Sequence, residues 1–127
     1  MKTIPDIFAV RAKSLKTVTL GESVETIGAE AFKECTSLKT IELPNSLKAI
    51  YSFAFFGCTA LEEITIPAAV ANMGQAVFQG ASALRTAVFE DRGHDVTFGT
   101  DGDGRSWMFF LCGYLETLTI GDGITSL

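Results

Sequence analysis

Leucines stand at positions 15, 38 and 61, and from each of them the chain writes the same order of apolar and polar residues for 23 positions. The three lines LKTVTLGESVETIGAEAFKECTS, LKTIELPNSLKAIYSFAFFGCTA and LEEITIPAAVANMGQAVFQGASA stack without a gap. Six columns are apolar throughout: Leu15/Leu38/Leu61, Val18/Ile41/Ile64, Leu20/Leu43/Ile66, Val24/Leu47/Val70, Ile27/Ile50/Met73 and Phe32/Phe55/Phe78. The same columns continue on either side. Residues 84–114 open with Leu84, Ala87 and Phe89 and close with Met108, Phe109 and Cys112, but hold eight extra residues. Residues 115–127 fill the first half of a further line with Leu115, Leu118, Ile120, Ile124 and Leu127. Residues 1–14 fill a second half: Ile4 precedes Leu15 as Ile27 precedes Leu38, with the Phe and Ala order exchanged at Phe8 and Ala9. The chain therefore reads as one domain, 1–127, made of a half repeat 1–14, repeats 15–37, 38–60 and 61–83, a long repeat 84–114 and a half repeat 115–127.

A constant period of this length predicts a solenoid, because one unit is too small to bury its own apolar face and must bury it against its neighbours. In LKTVTL, Val18 and Leu20 alternate with Thr17 and Thr19, which predicts one short parallel strand per repeat. Gly21, Pro44, Pro67 and Gly121 follow that strand and end it. A second short extended piece, such as VETI, is expected next. The stretch AEAFKEC is too short for an independent helix and reads as a single helical or 3₁₀ turn that carries Phe32 inward.

The idealised line L-x-x-I-x-L-P-x-S-V-x-x-I-G-x-x-A-F-x-x-C resembles the BspA-like (Treponema-type) leucine-rich repeats over essentially the whole chain. The resemblance rests on the two-part line and above all on the A-F-x-x-C phrase. The commoner leucine-rich repeats place Asn or Cys just after the strand, whereas Ser23, Ser46 and Ala69 fill that column here and the cysteine comes twelve residues later. Departures from the class are Ala81 in place of Cys, Val77 in place of Ala, and the long fourth unit around residues 91–106. The resemblance implies an α/β, β-rich, right-handed leucine-rich-repeat solenoid. It also implies surface attachment and interaction with host extracellular-matrix proteins, hence a cell-surface or secreted location, although the opening MKTIPDIFAVRAK lacks the apolar stretch of a secretory signal.

Charge narrows the partners. Residues 1–60 carry seven Lys/Arg and six Asp/Glu, and residues 61–127 carry three and nine, so the formal charge of −5 sits in the second half. That balance argues against nucleic acid. The longest uncharged apolar runs, such as Met108 to Cys112, are too short to insert in a membrane. The three cysteines cannot all pair within one chain, so no disulfide framework is expected.

Cys35, Cys58 and Cys112 share one column, which raises metal binding or redox chemistry. Ala81 fills the same column, so small buried packing residues are the reading preferred. On the outward strand positions Thr17, Thr19, Thr40, Thr65, Thr86, Thr117 and Thr119 alternate with Glu42, Glu63 and Val88, either a ligand surface or an ordinary solvated strand face. Tyr51, Phe53 and Phe56 stand where the neighbouring repeats have small or polar residues, either a contact surface or a cluster covered by a loop. In the insertion, TDGDG suggests a calcium loop, but Cys112 occupies the twelfth position from Asp101, where a bidentate Glu is required. His94 lies near Asp91 and Asp95 with no nucleophile set beside it, so no catalytic residue, cofactor or metal ligand is assigned and no enzyme is expected. The functional expectation is a non-enzymatic protein-binding module. The alternative is a self-assembling repeat unit whose open ends, with Ile4 and Phe8 at one and Ile124 and Leu127 at the other, join head to tail.

Overall fold

The computed structural model describes residues 2–123. Ile124 and Leu127, two of the open-end residues, lie outside the described residues. The alternating segments fold as ten short strands: β1 (Thr3–Ile4), β2 (Thr17–Thr19), β3 (Thr26–Ile27), β4 (Thr40–Glu42), β5 (Ala49–Ile50), β6 (Glu63–Ile66), β7 (Asn72–Met73), β8 (Thr86–Phe89), β9 (Thr97–Phe98) and β10 (Thr117–Ile120). Every pairing is parallel and joins a residue to its counterpart one repeat on, as in Thr17 with Thr40 and Ile27 with Ile50. The extended piece expected after the main strand is a strand in its own right, so a repeat holds two strands where one was predicted. These second strands build the longest sheet, ordered β1-β3-β5-β7-β9, while the first strands form β2-β4 and β10-β8-β6. Between β4 and β6 the coils are joined by the Glu62 amide donating to the Lys39 carbonyl at 3.0 Å.

The arch after each second strand departs from expectation. Residues 29–34 form hydrogen-bonded turns, and no helix occurs among the described residues. The cause is backbone conformation. Two left-handed positions recur four residues apart in every repeat: Ile7, Glu30, Phe53, Ala76 and Trp107 in one column, and Arg11, Glu34, Gly57, Gly80 and Leu111 in the other, with φ between 52° and 78°. Left-handed residues interrupt a right-handed helix. Their amides and the one between turn outward along the stack: Glu30, Phe32 and Glu34 donate to the carbonyls of Ser52, Ala54 and Phe56 at 3.0, 2.8 and 2.7 Å. The intervening amides of Ala31, Lys33 and Cys35 bond three residues back. Eight of the ten positions are not glycine, and each such residue costs on the order of 1–2 kcal/mol. The inter-coil bonds and the burial they permit offset that cost.

The core is a set of columns. Phe32, Phe55 and Phe78 are fully buried, and with Phe109 their rings stack nearly parallel at centroid spacings of 5.5, 5.6 and 5.9 Å. Leu38, Leu61 and Leu84 form a second fully buried column, and Val24, Leu47 and Val70 a third. Phe8 does not extend the stack. The exchanged order places Ala9 in the Phe column, where its amide bonds the Ala31 carbonyl, and leaves Phe8 55% exposed and edge-on to Phe32. Coils approach so closely that a Cβ at Gly74 would lie 2.2 Å from the Ser52 amide nitrogen.

The long repeat keeps the solenoid by looping out its extra residues. Asn72 pairs with Thr97, and Thr86 with Thr117, so two of the eight extra residues precede β9 and six follow it. Arg92 anchors the first loop from the column that holds Ser46. The Ser46 hydroxyl donates to the Val24 carbonyl at 2.6 Å, and the Arg92 guanidinium makes the equivalent bond to Val70 at 2.6 Å. Arg92 also donates to the carbonyls of Ile66 and Glu90, which satisfies a guanidinium that is almost fully buried.

Truncation of Phe55 to Ala should cost about 3–5 kcal/mol, since it empties a stacked, fully buried site. Phe8→Ala should cost about 1 kcal/mol or less. Urea-unfolding midpoints at unchanged slope measure the difference; equal losses for the two variants would contradict the ladder.

Candidate functional site

The outward positions of the first strands form two columns, Thr17/Thr40/Glu63/Thr86/Thr117 and Thr19/Glu42/Thr65/Val88/Thr119, because parallel pairing keeps equivalent residues side by side. Across β2, β4 and β6 this face is an open depression of about 720 Å³. Thr17, Thr19, Thr40, Glu42, Glu63 and Thr65 line it, all exposed. Thr86 and Val88, half-buried on β8, lie outside its lining. Glu22 and Glu90, just past the ends of β2 and β8, also line it and were not singled out from the sequence. With Glu42 and Glu63 they give the depression four carboxylates and no basic lining residue. Among the described residues the ion pairs are Arg11–Glu34, Lys33–Glu30, Lys48–Glu25 and Arg105–Asp103, and none reaches this face. A strand face of this kind carries a negative potential.

Tyr51, Phe53 and Phe56 lie elsewhere, on the arch after β5. Phe53 and Phe56 are half-buried and meet edge to face at 5.9 Å, with the Lys33 ammonium 5.5 Å from the Phe56 ring. Tyr51 is 49% exposed. The structure therefore separates the two groups of predicted binding residues onto different parts of the coil.

The cysteine column is a hydrogen-bonded ladder. Cys35, Cys58 and Cys112 donate their thiols to the carbonyls of Ala9, Phe32 and Phe78 at 3.2, 3.1 and 3.2 Å, each one coil back. All three are free thiols. Burial pushes Cys58 up to about 12, Cys112 up to about 11 and Cys35 in the same direction, which withholds the thiolate needed for nucleophilic or metal chemistry.

In the insertion, the Asp101 carboxylate is committed to its own loop. One oxygen accepts the amides of Asp103 and Arg105, and the other accepts the Trp107 indole N–H. The Arg105 amide foremost, then the indole, holds this carboxyl below its ordinary range. His94 is exposed, with Nδ1 2.9 Å from the Asp95 carbonyl. No group of three or more His, Cys, Asp or Glu residues among the described residues is placed to hold a metal ion.

Two-stranded coils, a cysteine ladder behind a phenylalanine stack and an arch with paired left-handed residues define a parallel-strand leucine-rich-repeat solenoid. The chain belongs to the BspA-type leucine-rich repeat family: the model for the BspA type leucine rich repeat region matches residues 2–127 in six copies. Among solved structures it is similar to a leucine-rich cell surface protein from Faecalibacterium prausnitzii, with a TM-score of 0.76 and 22% identity over 94% of this chain and 30% of that one. The Treponema pallidum leucine-rich repeat protein superposes with a TM-score of 0.71 and 27% identity over 92% of this chain and 62% of that one. The pneumococcal vaccine antigen PcpA gives a TM-score of 0.74 and 23% identity over 94% and 30%. The chain thus spans under a third of two of these proteins and less than two thirds of the other. No curated protein matches the chain.

The thiols supply a pH test. A folded-state value above the ordinary 9.0 means that the unfolded chain loses its proton first, so the contribution of Cys58 is intact below about pH 9 and falls as pH rises toward 12. Native protein at neutral pH should leave Cys58 unreacted with a thiol reagent, and unfolded protein should expose three thiols. The Cys58→Ala variant should show a shallower alkaline loss of stability; rapid labelling of native Cys58 would contradict its placement.

Proposed function

We propose that the chain is a non-enzymatic protein-binding module that presents its first-strand face to a basic, extended segment of a partner protein. Leucine-rich-repeat proteins of this family are generally interaction or surface-associated proteins, and one structural neighbour is described as a cell surface protein and another as a vaccine antigen. The observation that carries the reading is the depression across β2, β4 and β6, with Glu22, Glu42, Glu63 and Glu90 on a ladder of threonines and without a neutralising cation in its lining. A regular strand face of this kind holds its side chains in place before binding, which lowers the ordering cost of association. The family resemblance points to attachment at the cell surface and to host extracellular-matrix proteins as the partner class.

Binding is measured by surface plasmon resonance against immobilised extracellular-matrix proteins and a lysine-rich peptide. Glu42→Lys with Glu63→Lys should weaken binding about tenfold and lessen its dependence on salt, with an unchanged melting temperature. Tyr51→Ser should leave it intact. The reading fails if no matrix protein binds above background, or if only the Tyr51 variant loses binding.

A further inference from the structure

Around the first strand, three ties join one coil to the next: a thiol bond just before it, the strand ladder itself, and a side-chain bond just after it. Between repeats 15–37 and 38–60 these are Cys58 on the Phe32 carbonyl, β2 paired with β4, and Ser46 on the Val24 carbonyl. Between repeats 61–83 and 84–114 they are Cys112 on the Phe78 carbonyl, β6 paired with β8, and Arg92 on the Val70 carbonyl. Between repeats 38–60 and 61–83, with two coils on either side, none of the three is made among the described residues. Ala81 stands in the cysteine column and Ala69 in the column of Ser46 and Arg92, so neither side chain has a donor, and β4 and β6 belong to different sheets. Pro67 stands where Glu90 stands one repeat on. Glu90 donates its amide to the Ile66 carbonyl at 3.2 Å, and proline has no N–H to give the Leu43 carbonyl. At this edge the Glu62 amide still reaches the Lys39 carbonyl at 3.0 Å.

The opposite side of the same junction is complete. β5 pairs with β7, and the amides of Phe53, Phe55 and Gly57 reach the carbonyls of Gln75, Val77 and Gln79 at 3.0, 3.0 and 2.8 Å. The Gln75 amide also bonds the Ser52 hydroxyl, and the Phe55 ring stacks on Phe78 at 5.6 Å. A junction tied along one side and untied along the other has the form of a hinge.

We infer that the solenoid hinges between repeats 38–60 and 61–83, pivoting on the arch and second strands and opening at the first-strand edge. The depression lies across that opening. Glu22 and Glu42 move with the coils before it, and Glu63 and Glu90 with the coils after it, so the hinge sets the separation of two pairs of carboxylates. The motion needs no ligand; only its use, fitting the face to a partner, rests on the binding role proposed above.

Amide hydrogen exchange of the free protein, followed residue by residue by NMR and corrected for intrinsic rates, tests the hinge apart from any binding. The Glu62 and Arg85 amides hold the same place in successive repeats, and both are bonded to the preceding coil, at 3.0 and 2.8 Å. Glu62 should exchange about tenfold faster or more, while Phe55, on the arch of the untied junction, stays as slow as Phe78. Ala81→Cys with Ala69→Ser restores the two side-chain ties and should bring Glu62 to within about threefold of Arg85. Where the buried substitution unfolds the chain, Ala69→Ser alone, at an exposed position, should slow Glu62 and leave Arg85 unchanged. Equal protection of Glu62 and Arg85 in the native chain overturns the inference. So does a Phe55 as fast as Glu62, since the coils then separate outright, and so does a folded variant in which the rate of Glu62 is unchanged.

Discussion

Each coil of this protein is too thin to own a core, and its stability lies in what the next coil places above it. Phe32, Phe55, Phe78 and Phe109 stack within 10° of parallel because the chain returns to the same point after every repeat. A shared interior of this kind is unforgiving. The offset between partners may grow by a loop, as in the long fourth repeat, but the arch must come back with Phe109 over Phe78. That requirement explains why the extra residues are expelled as two separate loops and why Arg92, a costly residue to bury, is held by three carbonyls at the start of the first.

The arch enforces the same geometry through the backbone. A helix would satisfy its own amides and leave the arches of adjacent coils joined by side chains alone. The left-handed pairs redirect three amides per arch to the neighbouring coil, and the local bonds of the residues between keep the turn tight. The thiol ladder adds a further inter-coil bond from Cys35, Cys58 and Cys112. The cysteine column is thereby structural.

Much of this was legible in the chain because an inward column needs an apolar residue at every level. The period, the six columns, the main strands and the shared cysteine position followed from that single constraint. The second strands were visible only as an extended piece, since two residues such as Thr26 and Ile27 carry little alternation. The left-handed columns were hidden: glycine marks them only at Gly57 and Gly80, while Glu30, Glu34 and Leu111 adopt the same backbone without any compositional sign. The exposed threonines and Glu42 and Glu63 were found from strand alternation. Glu22 and Glu90 were missed because they reach the depression from beyond the strand ends, where alternation no longer applies. Arg92 gave no signal either, as its role depends on carbonyls of the preceding coil.

Native-state hydrogen exchange of the arch amides tests the shared interior most directly. The amides of Phe32, Phe55 and Phe78, each bonded to a carbonyl of the following coil, should exchange only when the solenoid opens, at closely similar and very slow rates. Exchange of any one of them at the rate of an open surface turn, in protein that is otherwise folded, would contradict the account.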